Sequence, residues 1–403
     1  MSGTDTTIDG MPLGESGAVF RLAAVSPVTA RYDRDDGWSA EVREDSLLVS
    51  VSGTPCHSYA DAIRAGLEVA QEGLDIFSAR GRADLTTVET ENDHLALWAE
   101  EGVKVLRVVS TALLRAGFGA GEVQVRDATG AVKPSPRPVE SWHQSMRYYR
   151  QAQLSEDLFD SLRSLWLAVE NLLDSVDQWQ TGEREGPWLK RSLASAGAKV
   201  DLTRYLPAGS PKAPHNQAFE YFYDELRTSI FHAKGSRDPQ LPHGVEGMSD
   251  LVERHERLTR FYLDLLGEVT GVRRASGSMT HTGFELMTPG WEHDPCVQVT
   301  DDSSPFDPAH KVTNPSGGSV VEARAARERA LERPGLKVLL AQIPGSELRR
   351  LEAVRRVGLT LGGSLASSTT IDGDLQAGDV DRFEAQLGLR LKNVGLPRSF
   401  AAL

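Results

Sequence analysis

The sequence predicts an α+β fold in three parts: an N-terminal α+β domain, a central all-α helical bundle and a small mixed C-terminal region. Three observations lead there. Residues 16–132 mix short β-branched segments with one amphipathic helix. Residues 145–271 carry three long apolar stripes at helical spacing. Residues 272–403 are rich in turn-forming residues, with short elements of both kinds. Residues 1–15 read as a flexible tail. Residues 133–144 read as a linker, because the prolines of KPSPRPVE fix φ and remove backbone donors.

In chain order, GAVFRLAAVSP (18–27) and WSAEVREDSLLVSVSG (38–53) have the β-branched content and partial alternation of strands. SYADAIRAGLEVAQEGLDIFSAR (58–80) keeps a 3.6-residue period through Ala62, Ile63, Leu67, Val69, Ala70, Leu74 and Phe77. Ser58 or Thr54 can start that helix and Gly81 stop it. LALWAEEGVKVLRVVSTALL (95–114) opens as a strand with a turn at Glu101-Gly102, and its second half fits strand or helix. EVQVRDATG (122–130) reads as a strand.

The middle third is helical. In 154–179, Leu158, Leu162, Leu165, Trp166, Val169, Leu172, Leu173 and Val176 form one stripe, with Ser155 as the expected N-cap. A shorter helix is expected at 188–200. A strong one is expected at 217–234, burying Phe219, Phe222, Tyr223, Leu226 and Ile230, and another at 248–271 around Leu251, Leu258, Tyr262, Leu265, Leu266 and Val269. Downstream, VVEARAARERALERPG (320–335) predicts a helix, KVLLAQI (337–343) a buried strand, SELRRLEAVRRVG (346–358) a short helix, and LTLGGSLASSTTIDGDL (359–375) a strand broken by glycines.

The chain has 403 residues, a net charge of −13 and two cysteines. That length fits two or three domains. Cys56 and Cys296 cannot make a disulfide framework or a four-thiolate zinc site. The charge argues against non-specific duplex DNA binding, which needs a broad basic surface. No apolar run has the length of a membrane span, and the polar, acidic N-terminus lacks signal-peptide character. A cytoplasmic protein is expected. The excess of arginine over lysine fits the coding bias of a GC-rich bacterial genome.

Phosphate loops, dinucleotide fingerprints, serine-nucleophile elbows and H-E-x-x-H are absent, so no cofactor is expected. The loop with Glu292, His293, Asp294 and Cys296 has no second ligand cluster at suitable spacing, and no metal is expected. Arg349 and Arg356, seven apart on the expected helix, could dock RNA or an acidic partner, but a solvated helix face is the simpler explanation. Tyr148 and Tyr149 beside Arg147 and Arg150 could stack bases or pack the entry to the helices.

The segment that carries chemistry is LRTSIFHAKG (226–235). One reading is a helix end: His232 and Lys234 complement the C-terminal dipole and Gly235 stops the helix. The other is phosphate handling. Arg227 can clamp a phosphodiester at two points, and His232 can move protons near neutral pH. Five residues set them about 140° apart around a helix, flanking one edge.

R-x-x-x-x-H with FHAK around it, downstream of SLRSLWLAVENLLD, resembles the HEPN domain superfamily over residues 145–271, and more narrowly its MauJ-like and ApeA-type members. The resemblance implies a HEPN-like bundle that homodimerises. It implies Arg227 and His232 as the catalytic pair, with Glu170 or Asp174 as the acidic member of the cleft and Thr228 and Lys234 in support. In the ribonuclease branch it implies metal-independent RNA cleavage, in stress response or phage defence. The MauJ-like branch implies instead a non-catalytic accessory or sensor protein that dimerises through the bundle. A third expectation is ligand binding in the cleft without turnover.

Overall fold

The computed structural model describes residues 5–88, 90–116, 140–231, 247–272, 279–304, 318–393 and 397. They fall into two compact units: residues up to 116 together with those from 279 to 393, and the residues of 140–272. The strand expected at 122–130 and the linker core lie outside the described residues.

The first unit holds one sheet of 14 strands. The N-terminal part supplies β1 (Thr7–Ile8), β2 (Met11–Pro12), β3 (Ser16–Arg21), β4 (Ala30–Asp33), β5 (Ser39–Val42), β6 (Leu48–Gly53), β7 (Asp93–Glu100) and β8 (Val103–Ala116). The C-terminal part supplies β9 (Pro295–Thr300), β10 (Val320–Arg327), β11 (Leu336–Pro344), β12 (Val354–Leu361), β13 (Ser364–Gln376) and β14 (Arg382–Asn393). Their order is β2-β1-β13-β12-β9-β10-β11-β14-β8-β7-β3-β6-β5-β4.

This corrects the expected fold class. The protein is an α+β fold dominated by one 14-stranded sheet rather than by a central helical bundle. The two chain ends are not a separate α+β domain and a small mixed region either. They meet where β14 pairs in parallel with β8, from Arg382↔Val105 to Asn393↔Ala116. One core spans both parts, with Val19, Leu97, Leu106 and Val108 beside Val299, Leu339, Val357 and Phe383. Strand pairing between residues almost 300 positions apart leaves no local signature, so reading windows in order splits one sheet into two regions.

Local chemistry explains the elements that fall where expected. The turn between β7 and β8 places Glu101 and Gly102 at φ 51° and 84°, the left-handed pair of a tight hairpin that feeds two twisted strands. Helix α1 (Tyr59–Ala79) is capped by Ser58, whose side chain accepts from the Asp61 amide. It lies so close to the sheet that a Cβ at Gly66 would stand 2.5 Å from the Cβ of Ala18. Below it, buried His94 is held neutral between the Tyr59 hydroxyl at 2.5 Å and the Thr90 carbonyl at 2.7 Å. Burial pushes its pKa down to about 4.

Two expected helices are strands. Residues 320–327 form β10, paired with β9 through Val320–Arg324 and with β11 through Ala325–Arg327. Their alanines and charges favour a helix locally, but partners on both sides and burial of Val321 and Ala325 override that propensity. In 346–358 only the short turn of helix Gly345–Leu348 is helical, and β12 begins at Val354. Three of its arginines are engaged internally. Arg349 donates to the Val380 carbonyl, Arg355 pairs with Asp374, and Arg356, 4% exposed, stands 3.8 Å from Asp302. The helical face that Arg349 and Arg356 would share does not form.

The other unit is the excursion between β8 and β9. It contains α2 (Ser145–Leu154), α3 (Leu158–Val176), α4 (Glu185–Gly197), α5 (Pro214–Ala218), a π-helical segment Phe219–Arg227, α6 (Thr228–Phe231) and α7 (Met248–Thr270). Leu162, Leu165, Trp166, Trp188, Phe222, Phe261, Tyr262 and Leu265 share its core. Asp157, not Ser155, caps α3 by accepting from the Asp160 amide at 2.9 Å. Tyr149 stacks on Tyr262 at 4.9 Å, while Tyr148 stays exposed. No described helix is long and apolar enough to cross a membrane.

Inside the sheet, Glu384 is 2% exposed. One of its oxygens takes two bonds from the Arg107 guanidinium, at 2.6 and 2.8 Å. Gln342 and Arg382 approach the other oxygen, at 3.1 and 3.0 Å. Arg107→Ala leaves a buried carboxylate short of its main partner and should destabilise the protein by about 3–5 kcal/mol. Denaturant unfolding followed by tryptophan fluorescence checks this. A loss under about 1 kcal/mol would mean that water or Arg382 replaces the guanidinium.

Candidate functional site

The site lies in the helical unit, where α3, the start of α4 and the end of the π-helical segment meet. Phe219, Tyr223, Arg227 and Phe231 recur every fourth residue and form a column. The Phe219 and Tyr223 rings are 4.9 Å apart, and the Arg227 guanidinium lies 5.2 Å from the Tyr223 ring and 5.4 Å from Phe231. Lys190 caps the other end, 4.4 Å from the Phe219 ring. Cation–π contact holds a guanidinium in place without consuming its N–H donors. Local π-helical turns recur at functional sites.

Glu185 pairs with Arg227, Glu170 lies within electrostatic reach of both, and Asp174 lies within reach of Glu170. Glu185, the first residue of α4, places Oε1 3.1 Å from Nη2 of Arg227 and takes the Tyr223 hydroxyl on Oε2 at 3.0 Å. Glu170 on α3 is half-buried. Burial pushes its pKa up, the charge of Glu185 adds to that, Arg227 opposes it, and Asp174 raises it further. Asp174 also accepts from the Trp179 amide at 2.8 Å and fixes the turn after α3. Burial, then the bond to Glu185, raises the pKa of Tyr223, so this phenol keeps its proton at neutral pH.

Of the sequence-derived candidates, Arg227, Glu170 and Asp174 are thus brought to one place. Thr228 sits at the start of α6, but its hydroxyl turns back to the Tyr223 carbonyl at 3.2 Å. His232 and Lys234 lie outside the described residues. Glu185 and Tyr223 were not among the candidates. Tyr223 is expected on the buried face of the 217–234 helix, and Glu185 precedes the helix expected at 188–200. The available signal was an acidic residue opening the helix that begins EGPWLKR. In the 290–296 loop, Asp294 pairs with Arg324. Among the described residues no group of three or more His, Cys, Asp or Glu is placed to hold a metal ion.

No protein-family profile, no curated protein and no solved structure matches this chain. The expected HEPN membership, ribonuclease activity and role in phage defence therefore have no support from relatives, and the expected dominance of a helical bundle is overturned by the 14-stranded sheet.

The charge balance at Glu170 generates a pH prediction. A carboxyl whose pKa is raised by folding weakens the fold when ionised. Glu170→Gln should therefore raise the thermal midpoint at pH 7. The gain should shrink as pH falls through the raised pKa, and vanish below 4.5, the ordinary glutamate value. A lowered midpoint at pH 7 would show that the attraction of Arg227 outweighs burial.

Proposed function

We propose that the Arg227 site acts on RNA phosphodiesters without a metal, as an endoribonuclease. The observation that carries this reading is a guanidinium held between two aromatic rings beside a half-buried carboxyl of raised pKa. The guanidinium supplies planar donors suited to non-bridging phosphate oxygens. A carboxyl shifted towards neutrality is suited to proton transfer. In the reaction the 2′-oxygen bonds to phosphorus, its proton passes to a base, and the 5′-oxygen leaves with a proton returned to it. His232 and Glu170 are the groups proposed for these transfers, and Arg227 stabilises charge on the phosphorane. The setting proposed is a cytoplasmic homodimer joined through residues 145–271.

The ion pair of Arg227 with Glu185 favours a second reading. In it the chain is a non-catalytic accessory or sensor protein, and the pair is part of the helical core.

Arg227→Ala, Arg227→Lys and His232→Ala separate the two. Under the ribonuclease reading the parent cleaves RNA in the presence of chelator, and His232→Ala loses about 10²–10⁴ in rate. Arg227→Lys is then nearly as damaging as Arg227→Ala, because an ammonium cannot make the two-point contact. Under the accessory reading the parent does not cleave, Arg227→Ala lowers stability by about 1–3 kcal/mol and lysine recovers much of it.

A further inference from the structure

The geometry points to Tyr223 and Arg227 as a two-donor anion seat, filled in the resting chain by the Glu185 carboxylate and taken over by phosphate oxygens when a ligand binds. It rests on the phosphodiester reading above and adds to it the residue that competes with the ligand.

The two oxygens of Glu185 bridge two donors, one to the Arg227 Nη2 at 3.1 Å and one to the Tyr223 hydroxyl at 3.0 Å. A phosphate presents two non-bridging oxygens of the same charge character, and such charge-assisted bonds are the stronger class. The donors are fixed from behind. Tyr223 packs against Phe219 at 4.9 Å and Trp166 at 6.0 Å, and Arg227 is held between Tyr223 and Phe231.

The carboxylate is less constrained. The Glu185 side chain is 30% exposed. It begins α4, whose N-cap Arg184 makes no side-chain capping bond, after the exposed residues 178–182. A carboxylate in the first turn is stabilised by the helix dipole, so Glu185 keeps a favourable position after it leaves the seat. The charge of Glu185 also works against ionisation of Glu170.

The test is calorimetric titration of the full chain with inorganic phosphate, alongside melts and RNA cleavage on the same samples. Glu185→Gln keeps the shape and removes the competing charge. It should bind phosphate about fivefold more tightly than the parent. Adding Tyr223→Phe should reverse part of that gain, and adding Arg227→Ala should abolish it. Glu185→Ala, with the same expectation, replaces the glutamine variant if that one does not fold. Folded variants that bind phosphate no better than the parent overturn the inference, and so does failure of both to fold, which makes Glu185 a structural partner. Tighter phosphate binding with no RNA cleavage by the parent keeps the seat and removes the ribonuclease reading. Cleavage that depends on Arg227, with phosphate affinity indifferent to position 185, keeps the ribonuclease reading and removes the seat.

Discussion

The parallel pairing of β8 with β14 is the constraint on which the sheet-bearing unit depends. Parallel neighbours cannot be joined by a tight turn and need a crossover. Here the chain between them includes the whole helical unit and five further strands. Without β14, the fourteen residues of β8 would present a long, apolar open edge, a template for unwanted pairing. The charges set into the ladder fix its register. Arg107 and Glu384 stand opposite each other in the pairing, and their ion pair is buried between the two chain ends. A one-residue slip would move Glu384 to the other face and strand it without donors.

A different balance governs the helical unit. The Arg107–Glu384 pair is almost fully buried and satisfied on several sides, which suits permanence. The Arg227–Glu185 pair is partly exposed, at 21% and 30%, and Glu185 stands at a helix start. Its free-energy contribution is correspondingly smaller and more readily replaced by another anion. The same two residue types therefore serve as a fixed joint in one place and as an exchangeable contact in the other. Burial and the number of additional donors decide which.

Legibility followed the range of the interactions. Helices α1, α3 and α7 could be read because their periodic faces are local, and the β7–β8 hairpin because Glu101-Gly102 declares its turn. The strand at 337–343 was evident from its continuous apolar run. The β10 and β12 strands were not, since Ala323, Ala325 and the arginines carry no strand signal until β9, β11 and β13 are beside them. The order of the sheet was likewise invisible, because Arg107 and Glu384 are 277 positions apart. At the site, Arg227, Glu170 and Asp174 could be nominated from residue type and helix position. Glu185 reaches them only through the fold of α4 onto α3, a tertiary fact with no trace in spacing.

The central claim, that both ends of the chain build one cooperative sheet, is tested most directly by hydrogen exchange on the intact protein. Amides in β7 and β8 should open with the same free energy as those in β11 and β14, because none of these strands is complete without the others. Contradiction would be a set of N-terminal strands that stays protected while β9 to β14 exchange freely. The ends would then be two independent modules that merely lie side by side.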